Sequence, residues 1–335
     1  MENNFKLIIL GTDWDVYKIS YQELIENPHV TYITTFRPVG LLGQLQRIQF
    51  NPKLNHIISI PGKSWWNPYY LRNIQDKRLC ILIMEKWLRH ESGLRLLPYL
   101  KKHYPEARIV CFFQDLIGTL IDRYTDQQID INYIKRYADL LISYDEIDAK
   151  KYGVLYHPTI FSPIKMPAQE LCYDLYFLGR DKGRMSTLIT MSQEAKKRGL
   201  KCLFIMMEVP QKERINIEGF VFADKPVPYM ENLQYAAKSR CIIELLQQDA
   251  QSATYRTWEA IMLNKKLLTQ NLRIKDCNIY DDKYISVFNT PDDINWEFIS
   301  EESQFPNMEN PYQKQISPYK LVEFIENELN IKIDR

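Results

Sequence analysis

Apolar residues along this chain come in short unbroken runs separated by polar turns: FKLIILG at 5–11, HVTYITT at 29–35, NHIISIPG at 55–62, RLCILIM at 78–84, ARIVCFFQD at 107–115 and ADLLISYD at 138–145. Continuous runs of this length, alternating with helical stretches, mark strands of a parallel sheet covered on both faces. The first half therefore reads as one doubly wound α/β domain. The pattern stops at YGVLYHPTIFSPIKMPAQE, where Pro158, Pro163 and Pro167 each bar a continuing helix or central strand. It resumes with YDLYFLG (173–179), KCLFIMM (201–207), EGFVFA (218–223), RCIIELL (240–246), KLLTQN (266–271) and KYISVFN (283–289). The expected layout is an N-terminal Rossmann-like domain over 1–157, a linker over 158–172, a second doubly wound domain over 173–318 and a terminal helix over 319–335. In that helix Leu321, Phe324, Ile325 and Leu329 share one face.

Composition narrows the class without naming a function. At 335 residues, 45% hydrophobic and 25% charged, the chain has the make-up of an ordinary two-domain globular protein. Its 43 basic and 42 acidic side chains nearly cancel, so no global field draws in nucleic acid and any anion site must be local. The six cysteines, Cys80, Cys111, Cys172, Cys202, Cys241 and Cys277, are dispersed, with no CxxC pair, which suits reduced thiols in the cytoplasm and argues against zinc. MENNFKLIILGTDWD has too short an apolar run for a signal peptide or membrane span, and reads as a first strand.

In a parallel sheet, ligands bind beyond the carboxyl ends of the strands, so the residues just after each run matter most. After YDLYFLG comes GRDKGR, where Gly179 permits a tight turn and Arg180, Lys182 and Arg184 stand at the start of a helix. Helix amides with guanidinium groups make a phosphate site; a solvated loop balanced by Asp181 is the plain alternative. The string is neither GxGxxG nor a P-loop. After RCIIELL comes the loop QQDAQSAT and the helix YRTWEAIML. Ser252 or Thr254 can cap that helix, and its free amides with Arg256 can take a diphosphate. Glu259, one turn in, suits a ribose diol, although Arg256 and Glu259 at i,i+3 can equally be a surface pair.

This combination resembles the donor site of the GT-B glycosyltransferases, and the wider chain resembles the bacterial members that build lipopolysaccharide and capsular polysaccharide. R-x-x-E-A opens a helix and NKKLLTQN closes it. YDLYFLGRDKGR is similar to the opening of their donor domain, FFQDL to an element of their acceptor domain, and YDEIDAKKYGVLYHP to the stretch before their linker. The resemblance implies two Rossmann-like doubly wound domains facing a cleft. It also implies a nucleotide-diphosphate sugar as co-substrate and no other cofactor, with the diphosphate at Ser252, Ala253, Thr254 and Arg256 together with Arg180 and Lys182. Glu244 matches an earlier acidic position in some of these families. The glycine usual in this loop is missing, with Ala250 and Ala253 nearby.

On the acceptor side, GTDWD follows the first strand: Gly11 would give a sugar room, Trp14 stands beside it, and Asp13 could take a proton from an acceptor hydroxyl. Asp115 is the competing base, and either aspartate can instead cap a helix. Asp13 and Asp15 form a D-x-D, but its place directly after the first strand argues against a metal, and arginine with helix amides can stabilise the leaving diphosphate. The aromatic loop PGKSWWNPYYLRN places Trp65 and Trp66 where they could stack on sugar, anchor at a membrane interface or pack a turn. The expected partners are a nucleotide-sugar donor and a glycan or lipid-linked acceptor, with peripheral contact at the inner face of the plasma membrane. A sugar-nucleotide epimerase and a non-catalytic nucleotide-sugar-binding scaffold are the competing readings.

Overall fold

The computed structural model describes residues 4–34, 37–76, 78–124, 129–164, 166–167, 169–246, 253–277, 279–301 and 312–335. It divides into two compact units, one made of Met1–Ser162 with Ile316–Arg335 and the other of Pro163–Gln315.

The first unit is built on six parallel strands, β1 (Lys6–Leu10), β2 (Thr31–Ile33), β3 (Leu79–Met84), β4 (Arg108–Phe113), β5 (Leu140–Ser143) and β6 (Leu155–Tyr156). Their order in the sheet is β2-β1-β3-β4-β5-β6, with register pairs such as Ile8 with Ile81 and Val110 with Leu140. Every residue of β3 is buried, as a strand covered by helices on both faces must be. Strand order reverses between β1 and β3, which is where an open α/β sheet leaves a crevice at its carboxyl edge. The Pro318–Leu329 helix closes the core of this unit with Leu321, Val322 and Ile325, and Phe5 pairs with Ile333.

One predicted strand is absent. Asn51 caps a helix over Pro52–Ile57, with Pro52 in its first turn, so the run at 55–62 ends a helix instead of entering the sheet. Its apolar residues are turned outward: Ile57 is 77% and Ile58 68% exposed. A run of isoleucines signals burial only when a core is there to receive it.

The second unit repeats the design with β7 (Tyr173–Arg180), β8 (Cys202–Met207), β9 (Phe220–Ala223), β10 (Ser239–Glu244), β11 (Lys266–Thr269) and β12 (Ile285–Val287). All pairings are parallel and the order is β12-β11-β10-β7-β8-β9. Successive side chains of β7 feed different cores: Leu175 and Phe177 join Phe204 and Ile243 on one face, Tyr176 and Leu178 join Ile205 and Ile242 on the other. Here the order reverses between β7 and β10. The described residues following those two strands, 181–184 after β7 and 245–246 with 253–256 after β10, therefore flank one crevice.

Candidate active site

In the second unit, β7 runs on through Gly179 to Arg180, which corrects the expectation of a turn at Gly179. The missing Cβ has a different use: a side chain there would meet Phe177 at 2.8 Å and the Nη1 of Arg184 at 3.2 Å. The turn comes later, where Lys182 and Gly183 take φ of 44° and 82°. Asp181 accepts from the Met185 amide at 2.9 Å, satisfying the first amide of the Met185–Lys197 helix, whose N-cap is Arg184. Arg180 turns to Glu208 at 2.7 Å, and both are more than half exposed. Arg184 folds back along β7, with its guanidinium 5.9 Å from the Phe177 ring and its Nε buried without a hydrogen-bond partner among the described residues.

The other side of the crevice is set by Glu244 at the end of β10. Its carboxylate, 1% exposed, accepts from the Thr254 amide and hydroxyl, the Thr257 hydroxyl and the Thr269 hydroxyl at 2.5–2.9 Å. This network pins the start of the Tyr255–Met262 helix to the sheet, and Thr254 is its N-cap, accepting from the Arg256 amide. Ala253, just before that cap, is half-buried. Ser252, and the residues before it back to Gln247, lie outside the described residues.

Arg256 donates through Nη1 to Asn232 at 2.9 Å and to Glu259, and through Nη2 to the carbonyl of Leu178 at 3.2 Å. Glu259 has no solvent exposure and also accepts from Tyr229 at 2.8 Å and Asn232 at 3.2 Å. The pair is thus a buried network and not a surface ion pair. A carboxylate enclosed in this way cannot reach a ribose, so Glu259 serves to orient Arg256. Glu244, equally enclosed, holds the helix. Tyr229 and Asn232 belong to the Tyr229–Ala237 helix, 24 to 30 positions away in sequence, and no spacing along the chain announces them.

Arg184 and Arg256 therefore converge on Leu178–Gly179 at the β7/β10 reversal. Burial and the neighbouring Arg256 charge push Arg184 below its ordinary range, with Asp181 offsetting part of this. Glu259 balances Arg256, so the unbalanced charge is that of Arg184, whose buried unpaired N–H suits it to receive a phosphate beside Arg256.

In the first unit, Asp13 is exposed after β1 and lies 3.6 Å from Lys18. Gly11 does not open space for a sugar, since a Cβ there would fall 2.0 Å from the ring of Tyr32. Asp115, after β4, is held on both oxygens, by Arg89 at 3.1 Å and by the Leu116 amide at 3.0 Å. Between them, after β3, stand two residues that no sequence motif marks. Glu85 is fully buried, and burial pushes its carboxyl up, opposed by Lys86 and by donors from Tyr17 at 3.1 Å and Gln114 at 3.3 Å. The Lys86 ammonium sits over the ring of Trp14 with no hydrogen-bond partner among the described residues, and burial lowers its pKa. Trp65 is 76% exposed, and Trp66 donates to Gln49 at 3.1 Å.

A cavity of about 370 Å³ adjoins this row, lined by Arg37, Gln46, Arg47, Lys86, Trp87 and His90 among others. A signal for it exists in the sequence: from Glu26 to Asp76 the chain carries no acidic residue, but has Arg37, Arg47, Lys53, Lys63 and Arg72. A larger cavity in the second unit, about 440 Å³, lies at the amino ends of β7 and β8 near Tyr173 and Lys201, the edge where sheets of this type do not bind ligands.

No family model matches the chain, and no curated protein matches it. Solved structures do. The chain is similar to a UDP-forming α,α-trehalose-phosphate synthase from Burkholderia xenovorans, with TM-score 0.57 and 10% identity over 98% of this chain and 99% of that one. It is similar to a trehalose-6-phosphate synthase, with TM-score 0.58 and 9% identity over 97% and 99%. A putative UDP-N-acetylglucosamine 2-epimerase from Listeria monocytogenes matches with TM-score 0.50 and 11% identity over 97% and 96%. The fold is thus the two-sheet α/β architecture of the GT-B glycosyltransferases, which an epimerase can also adopt.

Proposed function

We propose that the protein is a glycosyltransferase that moves a sugar from a nucleotide-diphosphate donor to a glycan or lipid-linked acceptor in bacterial surface polysaccharide synthesis. The observation that carries this reading is the convergence of Arg184 and Arg256 on Leu178–Gly179. In the proposed reaction an acceptor oxygen attacks the anomeric carbon, its proton passes to a carboxylate, and the bond to the donor phosphate breaks. Arg184 and Arg256 take up the charge of the departing diphosphate, with no metal assigned to that task. We assign the base to Asp13 and not Asp115, because Arg89 and the Leu116 amide already occupy both oxygens of Asp115.

The test is a thermal-shift panel of nucleoside diphosphates and nucleotide sugars. A ligand at one hundred times its Kd stabilises the folded state by about 2.7 kcal/mol, and one base is expected to stand out. Absence of any shift sinks the donor site. Release of nucleoside diphosphate only when an acceptor is added identifies a transferase; interconversion of donors without one identifies the epimerase instead.

The surface of the first unit favours an acceptor at a membrane. Val39 and Leu41 at the start of the Gly40–Gln49 helix are 89% and 83% exposed, and Leu42, Ile48, Ile57, Ile58 and Trp65 are exposed with them. These lie in the acid-free stretch with Arg47 and Lys53. Apolar side chains beside cations suit the boundary of an anionic bilayer. Flotation with phosphatidylglycerol vesicles should recover the protein, and Leu41→Gln with Ile57→Gln should cut the bound fraction about fivefold or more. Failure of the unsubstituted protein to float excludes this membrane contact.

A further inference from the structure

The cavity of about 370 Å³ in the first unit is not used by the donor chemistry, and its lining is unlike the rest of the molecule. The chain is charge-balanced, yet the cavity presents Arg37, Arg47, Lys86 and His90, and none of its described lining residues is acidic. Neither Arg37 nor Arg47 forms an ion pair with another described residue. Lys86 brings a buried ammonium without a hydrogen-bond partner, and His90 is held towards its neutral form by burial and by the charges of Arg37 and Arg89. Gln46 adds an amide, and the remaining wall is apolar, with Phe50, Trp87 and Leu94. Glu85 and Asp115 offset part of the Lys86 charge, so the exposed Arg37 and Arg47 supply the charge that an anion entering the cavity would meet.

We propose that this cavity binds a phosphate or diphosphate group carried by the acceptor. Guanidinium forks at Arg37 and Arg47 fit the oxygens of a phosphoryl group, and the Lys86 ammonium supplies a third contact from the strand side. The cavity lies at the carboxyl edge of β3, beside the β1/β3 reversal, and its Lys86 rests on the Trp14 ring. The Gly40–Gln49 helix contributes Gly43, Gln46 and Arg47 to its wall while Leu41, Leu42 and Ile48 of that helix are exposed. A phosphoryl group in the cavity and an apolar chain along the outer side of the helix would use both. That the ligand belongs to an acceptor rests on the glycosyltransferase reading; that it is a phosphoryl group rests on the cavity alone.

The probe is inorganic pyrophosphate, titrated calorimetrically into the full-length protein. Two sites are expected, one lost in Arg184→Ala and the other in the double variant Arg37→Gln/Arg47→Gln, each variant keeping the remaining site. Both arginines in the double variant lie at the surface, so an unchanged thermal midpoint is expected and confirms that the comparison is of folded proteins. Pyrophosphate binding that the double variant leaves unchanged in stoichiometry and affinity overturns the proposal. If only the cavity site is found, the proposal stands while the donor reading falls; if only the Arg184 site is found, the reverse holds. The source of the phosphoryl group is decided by two further arms. A soluble hexose phosphate that competes with pyrophosphate at the cavity points to a free metabolite. Neutral vesicles carrying a polyprenyl phosphate that bind at least tenfold more of the unsubstituted protein than of the double variant point to a lipid headgroup. Failure of both to depend on Arg37 and Arg47 also overturns the proposal.

Discussion

Replacing Arg184 with alanine is expected to weaken nucleoside diphosphate binding by about 10- to 100-fold, the loss of one charged hydrogen-bonding partner worth about 1.5–3 kcal/mol. The same change should leave the ligand-free protein as stable as before or slightly more so. Arg184 has a buried Nε with no partner and sits beside the like charge of Arg256, so its removal relieves both. Isothermal titration with the best diphosphate from the thermal-shift panel measures the first effect, and chemical denaturation the second. Unchanged affinity would return GRDKGR to a solvated turn. A drop in stability with unchanged affinity would make Arg184 a packing residue stacked on Phe177.

Arg256→Ala should behave differently, with a loss of about 3–5 kcal/mol in folding stability, because it leaves the fully buried Glu259 carboxylate without its counter-charge. Tyr229 and Asn232 still donate to Glu259, but neutral donors do not replace a guanidinium. Combining Arg256→Ala with Glu259→Gln removes the stranded charge and should recover most of that loss while diphosphate binding stays impaired. Denaturant midpoints for the single and double variants check this. A single-variant cost below about 1 kcal/mol would mean that water reaches Glu259 in the native state. Because Arg256 carries stability as well as its proposed phosphate contact, Arg184 is the cleaner probe of the proposed donor site.

The strands were legible because parallel sheets demand unbroken apolar runs, and the runs around β1, β3, β4, β7, β8 and β10 meet that demand along their length. What escaped is instructive in physical terms. Ile57 and Ile58 end a helix whose apolar side chains face outward, and periodicity carries no information about whether a core exists to cover them. Gly179 looked like a turn glycine, but glycine also occurs where a neighbouring side chain needs the space of a Cβ, here Phe177 and Arg184. Glu244 and Glu259 follow the ligand-binding pattern in sequence, yet three threonines enclose one and a helix 24 to 30 residues upstream encloses the other. Glu85 and Lys86 were overlooked because two charges directly after a strand look like an ordinary solvated turn until burial is known. The acid-free stretch before Asp76 was the one clue to the cavity, and it shows only when charges are counted locally instead of over the whole chain.

The first unit takes its closing helix from residues 316–335, after the whole of the second unit. During synthesis the second unit has all of its strands once Gln315 has emerged, while the first must wait with the surface that Leu321, Val322 and Ile325 will cover still open to water. The order of completion on the ribosome is therefore the reverse of the order of translation. The half that begins first is the last to become a closed body, and until then its apolar surface is open to non-native contacts.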